Sequence, residues 1–228
     1  MANYVLIHGA GSSSWYWHLV RPDLEARGHM VIAPDLPCDD DSAGLPEYVA
    51  TVVDAVDGLN DLIVVAQSMA GFTAPLLCDH LDVRLIILVA AMVPLPGESP
   101  GEWWTSTGHE EAMRAQAERD GRILGAEFEP VSTFLHDVPA DIVAEAAAHV
   151  RVQSGTPFVA PWPLAAWPDV PTRFLLCTND RFFPAEFQRR VVRQRLDVTP
   201  DELVSGHLPA LGHPKELVER LEAYRMEA

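Results

Sequence analysis

The sequence predicts an α/β fold, a mostly parallel sheet with helices on both faces, and three observations lead there. Short apolar runs recur along the N-terminal part of the chain. Longer amphipathic runs separate them, so strand and helix patterns alternate as in βα units. The strongest apolar runs, Leu62 to Ala66 and Val83 to Ala91, are rich in Ile, Leu and Val without polar alternation, as strands buried on both faces are.

Taken in order, Tyr4 to Ile7 reads as the first strand. His8-Gly9-Ala10-Gly11 with Ser12 to Ser14 is a turn, and Trp15 to Arg27 predicts a helix closed by Gly28 at C′. His29 to Ala33 is a second strand. Pro34 to Pro37 and the acidic run Asp39 to Asp41 make a loop before a helix over Leu45 to Val56 that ends near Gly58. The strand at Leu62 to Ala66 runs directly into a helix expected over Met69 to His80, and Val83 to Ala91 follows as a strand.

After Val93 the rhythm breaks. Pro94, Pro96, Gly97, Pro100 and Gly101 oppose regular structure, and the next strand pattern comes only at Arg173 to Cys177. Residues 96–169 are therefore assigned to an inserted helical lid, and residues 1–95 and 170–228 to the core. Helices are expected in the insertion at Glu110 to Arg119 and Asp141 to Val152, with a proline-rich exit from Pro157 to Pro171. It also holds Trp103, Trp104, Trp162 and Trp167, which either fix the insertion to the core or line a pocket beneath it. Beyond it come a strand at Arg173 to Cys177, a helix at Pro184 to Leu196, a short strand at Glu202 to Ser205 and a last helix at Pro214 to Met226.

The 228 residues suit one domain with a real core, and 48% apolar against 21% charged residues is an ordinary globular balance. Sixteen Lys plus Arg against 33 Asp plus Glu give a net charge of −17, which repels polyanions. Nucleic acid and anionic membrane surfaces are thereby excluded as expected partners, and a small molecule is the expected one. Oligomeric state is not written in the sequence. Cys38, Cys78 and Cys177 are too scattered for a disulfide framework and show no metal-ligand spacing, so a reducing, cytoplasmic setting and no metal are expected. The acidic run Asp39 to Asp41 has no positional cation pattern. Met1-Ala2-Asn3 leads straight into the first strand, with no targeting or membrane-spanning pattern.

The chemistry is concentrated at Ala66-Gln67-Ser68-Met69-Ala70-Gly71. A buried strand ends, one serine follows and a helix is expected at once, so the serine occupies a strained turn that requires small neighbours, here Ala66 and Ala70 with Gly71 next. Such a serine can also be a helix N-cap. As a nucleophile it needs a base and an orienting carboxylate from later strand ends. Asp180 follows the Arg173 to Cys177 strand and His207 follows the Glu202 to Ser205 strand. Asp180 alone also reads as a cap for the helix from Pro184. His213 rivals His207, but it precedes Pro214 and so marks a helix entry. The oxyanion donors are assigned to the backbone N–H groups of Met69, after the serine, and Ala10, in the first loop. His8 is read as structural.

These landmarks, together with Ala33-Pro34-Asp35-Leu36-Pro37, Pro94-Leu95-Pro96-Gly97-Glu98-Ser99 and Gly206-His207-Leu208-Pro209-Ala210-Leu211, resemble the α/β-hydrolase fold nearly end to end. The resemblance is to the branch containing plant methylesterases and hydroxynitrile lyases. It implies a lid over the site and no cofactor. In the lyases a threonine follows the first-loop histidine and a lysine follows the catalytic histidine; here Gly9 and Leu208 stand there, which favours an esterase. The expected function is hydrolysis of a carboxylic ester of an apolar or aromatic small molecule through an acyl-enzyme. A non-hydrolytic lyase, cyclase or epimerase on the same fold, and a ligand-binding protein with a retained pocket, stay open beside it.

Overall fold

The computed structural model describes residues 1–123, 125 and 129–228. At its centre is a six-stranded sheet in which every neighbouring pair is parallel. The strands are β1 (Asn3–Ile7), β2 (Met30–Ile32), β3 (Leu62–Gln67), β4 (Val83–Val89), β5 (Thr172–Cys177) and β6 (Asp201–Leu203), in the spatial order β2-β1-β3-β4-β5-β6. The expected α/β class and parallel sheet are therefore found.

Successive strand residues point to opposite faces, and the two faces form two cores. Val5, Ile7, Val64, Ala66, Ile86 and Leu88 face one side. There they pack on α2 (Leu45–Val56) and α7 (Ala185–Leu196). Tyr4, Leu6, Ile63, Val65, Ile87 and Val89 face the other, against α1 (Arg21–Ala26) and α9 (Pro214–Glu227). Both faces are covered, which is why β3 and β4 carry no polar alternation.

Two expected helices are broken by proline. The stretch Trp15 to Arg27 splits into a 3-10 turn at Ser14–Trp17 and α1. Pro22 has no N–H to give to the previous turn, so it sits in the first turn of a new helix. The helix expected over Met69 to His80 is instead two 3-10 segments, Ser68–Gly71 and Ala74–Asp79, with Pro75 opening the second. Phe72 N–H reaches Met69 O at 3.0 Å and Thr73 N–H reaches Ala70 O at 3.0 Å, the i to i+3 pattern. No long helix dipole stands beneath Ser68, so only local amides can favour negative charge there.

Between residues 96 and 169 lie α3 (Pro100–Thr107), α4 (His109–Arg119), α5 (Pro130–Phe134) and α6 (Ala140–Ala146). α4 matches the expected helix, whereas α6 stops well short of Val152. α3 was not expected, because Pro100 and Gly101 read as breakers. They belong to a capping box: Ser99 Oγ accepts the Glu102 N–H at 3.1 Å and Glu102 accepts the Ser99 N–H at 2.9 Å. Pro100 is then at the favoured first position, and Gly101 lets the Phe158 carbonyl approach. The short α8 (Pro209–Gly212) also starts on a proline. No helix of the described residues is long and apolar enough to cross a membrane.

The last helix is fastened to the first strand by Glu222. Tyr4 OH donates to it at 2.7 Å, His29 Nε2 at 3.1 Å and Arg225 Nε at 3.1 Å. His29 Nδ1 accepts the Ala2 N–H, so the ring proton is on Nε2 and points at the carboxylate. Burial raises the Glu222 pKa, but the hydrogen bonds from Arg225, Tyr4 and His29 outweigh it and take the group down to about 2. A carboxylate depressed on folding contributes stability above its unfolded pKa and loses it as pH falls through the folded one. Glu222→Gln is thus expected to lower Tm at pH 7 by about 3–8 °C, and thermal melts of the two proteins should converge between about pH 5 and pH 2.

Candidate active site

Ser68 stands directly after β3 with φ of 54°, in the left-handed region that a non-glycine residue enters at a cost. Its neighbours explain how it is held there. A Cβ on Gly71 would overlap the Met92 carbonyl, and one on Gly9 would come within 2.9 Å of Ser68 Cβ. Ala66 and Ala70 are buried beside it, and Met92 N–H donates to Ser68 O at 2.9 Å. The turn is thus wedged between the loop after β1 and the segment after β4.

The structure brings the three predicted side chains together. His207 Nε2 lies 3.1 Å from Ser68 Oγ, and its Nδ1 lies 2.7 Å from Asp180 Oδ2. The carboxylate holds the ring proton on Nδ1, which leaves the Nε2 lone pair to accept the serine hydroxyl. Asp180 Oδ1 accepts the N–H groups of Phe182 and Phe183, each at 2.8 Å. Asp180 therefore closes the turn before α7 while its other oxygen faces the histidine, but it does not cap that helix, which starts behind Pro184 with no side-chain cap. The rings of Phe183, Phe182 and Phe134 surround the imidazole at centroid distances of 5.0, 5.2 and 5.3 Å. His213 is not part of this group; it begins α9 and lies 3.4 Å from Asp137.

Gln67 was missed by the sequence reading. It is buried, and its Nε2 donates to the His207 carbonyl at 3.1 Å, tying the serine turn to the histidine loop. The signal was a polar residue closing an otherwise apolar strand, because a buried amide must find partners.

The two residues expected to give oxyanion donors, Met69 and Ala10, line the same cavity as Ser68. Met69 is the second residue of its 3-10 segment, where an N–H has no acceptor within the turn. Ala10 N–H has no hydrogen-bond partner among the described residues, and Ala10 lines the cavity. His8 fixes this loop: its Nε2 accepts the Leu36 N–H at 3.1 Å, so Nδ1 carries the proton and donates to Gly9 O at 2.8 Å. Burial lowers the His8 pKa and keeps the ring neutral for that role.

A cavity of about 380 Å³ opens over Ser68 and His207. Met92, Leu208 and Leu211 line it from the core side, and Trp104, Phe134 and Val150 from the inserted segment. No Asp, Glu, Lys or Arg lines it among the described residues. Of the four tryptophans in the insertion, Trp104 reaches the cavity. Trp103, Trp162 and Trp167 instead donate to Val93 O, Phe72 O and Thr172 Oγ1 at 3.1, 3.1 and 2.9 Å, fixing the segment to the core. Among the described residues no group of three or more His, Cys, Asp or Glu is placed to hold a metal ion. In the acidic loop Asp39 pairs with Arg151 and Asp40 accepts from Ser42.

The model of the Alpha/beta hydrolase family matches residues 4–220. Norfluorocurarine synthase 1 of Strychnos sp is 21% identical over 251 residues, covering 96% of this chain and 94% of that protein. Methylesterase 7 of Arabidopsis thaliana is 26% identical over 251 residues, covering 94% and 92%. The crystal structure of polyneuridine aldehyde esterase superposes with a TM-score of 0.81 at 17% identity over 99% of both chains, a likeness of fold.

The wedge around Ser68 is testable by one methyl group. Gly71→Ala should lower Tm by about 2–10 °C through overpacking against Met92 O. Gly155→Ala, where a Cβ meets nothing within 4 Å, should leave the melt unchanged.

Proposed function

Because the chain belongs to the alpha/beta hydrolase family, we propose that it is a serine hydrolase that cleaves neutral carboxylic esters of apolar or aromatic small molecules through an acyl-enzyme. The observation that carries this reading is the continuous contact from Ser68 Oγ to His207 Nε2 at 3.1 Å and from Nδ1 to Asp180 Oδ2 at 2.7 Å, on the wall of a cavity that no Asp, Glu, Lys or Arg lines among the described residues.

Ser68 Oγ attacks the ester carbonyl carbon while its proton passes to His207 Nε2. Asp180 retains its charge, keeps Nδ1–H in place and stabilises the imidazolium. The carbonyl oxygen becomes an oxyanion and accepts the N–H groups of Ala10 and Met69. Collapse breaks the ester C–O bond, and the imidazolium proton leaves with the alcohol. Water then gives a proton to His207, attacks the acyl carbon and releases the acid, restoring the Ser68 hydroxyl. The 96–169 insertion acts as the lid, supplying Trp104, Phe134 and Val150 to the cavity wall and shielding the acyl-enzyme from bulk water.

The substrate class follows from the lining. A carboxylate brought into this cavity would lose its hydration and find no cation, whereas an alkyl or aryl group would replace water on apolar surface. A non-hydrolytic reaction on the same residues is the second reading, favoured by the synthase name that one relative carries. It predicts turnover that survives loss of the Ser68 hydroxyl.

Ser68→Ala is expected to reduce hydrolysis of short p-nitrophenyl esters at least ~10³-fold and to abolish labelling by a fluorophosphonate probe. Full turnover by the variant would overturn the acyl-enzyme reading. In the wild type, an ester carrying a free carboxylate on its acyl part should have kcat/KM at least ~10²-fold below that of its neutral isostere in steady-state assays.

A further inference from the structure

The geometry points to Gln153, on the irregular stretch that follows α6, as a positioning residue for the oxyanion donor Ala10. The inference rests on the proposed hydrolase reading. The stretch 151–154, within the insertion, lies against the loop after β1. Gly11 N–H donates to Gln153 Oε1 at 2.9 Å, and Arg151 N–H donates to Gly11 O at 3.0 Å. Gly11 accepts this close approach because it has no side chain and φ of 62°; a Cβ there would stand 3.2 Å from the Arg151 carbonyl.

Peptide planarity turns these contacts into control of Ala10. In a trans peptide the C=O and the following N–H lie in one plane and point in opposite directions. His8 Nδ1 holds Gly9 O at 2.8 Å, and so sets the direction of the Ala10 N–H in the same plane. Gln153 holds the Gly11 N–H, and so sets the next plane, which contains the Ala10 carbonyl. Both planes hinged on the Ala10 Cα are thereby fixed, one from the core and one from the insertion. The Ala10 N–H itself has no partner among the described residues, as an aimed donor requires.

Gln153 is itself held in the accepting orientation. Its Nε2 donates to Tyr48 OH at 3.1 Å and to Ser154 O at 3.0 Å, so a flipped amide would set N–H against N–H at Gly11. The stretch is further anchored by Ser154 N–H to Cys38 O at 2.6 Å and by Arg151, which donates to Leu36 O at 2.8 Å and pairs with Asp39. The insertion is then part of the catalytic framework. It completes the oxyanion site that the core loop begins.

The test compares Gln153→Met, which keeps the length and removes the acceptor, with Gln153→Glu, which keeps an acceptor for Gly11. With a p-nitrophenyl ester, Gln153→Met should lower kcat about 10- to 100-fold while KM stays within about twofold. Its affinity for a boronic acid that forms a tetrahedral adduct on Ser68 should fall by the same factor, and Gln153→Glu should recover most of the rate. An unchanged kcat in Gln153→Met overturns the inference. So does a raised KM at constant kcat, which would make Gln153 a substrate contact. Equal loss in both variants together with a lowered Tm would leave only a folding role and also overturns it. A wild type that neither turns over esters nor labels at Ser68 overturns the hydrolase reading first, and this inference with it.

Discussion

Everything else in the molecule is arranged around one strained residue, Ser68, held at φ of 54° where β3 ends. A left-handed non-glycine residue costs on the order of 1–3 kcal/mol, so it persists only where its surroundings over-determine it. Here Gly71 lies under the Met92 carbonyl, Gly9 lies against Ser68 Cβ and Gln67 reaches His207 O. β3 is internal to a parallel sheet, with β1 and β4 on either side. The carboxyl ends of all these strands therefore open on one edge. Ala10 after β1, Met92 after β4, Asp180 after β5 and His207 after β6 reach one point because the strands share a direction.

The part of this arrangement that was legible in the sequence is the part written in local pattern. Uninterrupted apolar runs marked β3 and β4, and α2 began and ended at Leu45 and Val56 as its periodicity implied. A serine between small residues at a strand end, followed by an aspartate and a histidine after later strands, marked the three side chains that meet. Their distances were not legible, because they depend on how strands far apart in sequence pair. Proline and glycine misled where they play two parts. Pro100 and Gly101 read as breakers but open α3 behind Ser99, and Pro75 stops the helix expected beneath Ser68. Gln67 and Gln153 escaped notice because nothing local reveals what a buried or half-buried amide bonds to.

Charge is divided sharply between outside and inside. The chain carries −17 overall, yet the cavity beside Ser68 is lined by no Asp, Glu, Lys or Arg among the described residues. Three arginines in or against the insertion are engaged away from the cavity: Arg195 holds Glu98 at 2.9 Å in a nearly buried pair, Arg181 donates to Ser132 O at 2.8 Å, and Arg151 grips the loop at Leu36. The nearly buried pair of Arg195 with Glu98 joins α7 to the start of the insertion. The acidic exterior and a cavity without Lys or Arg both act against anionic ligands, one by long-range repulsion and the other by desolvation.

The central claim is that Ser68, His207 and the amides of Ala10 and Met69 form one acyl-transfer site. The most direct test is a crystal structure of the protein after reaction with diethyl p-nitrophenyl phosphate. The account predicts a covalent Ser68 Oγ–P bond, with the phosphoryl oxygen about 2.7–3.1 Å from the amide nitrogens of both Ala10 and Met69. An unmodified Ser68, or an adduct whose phosphoryl oxygen turns away from those two amides, would contradict it.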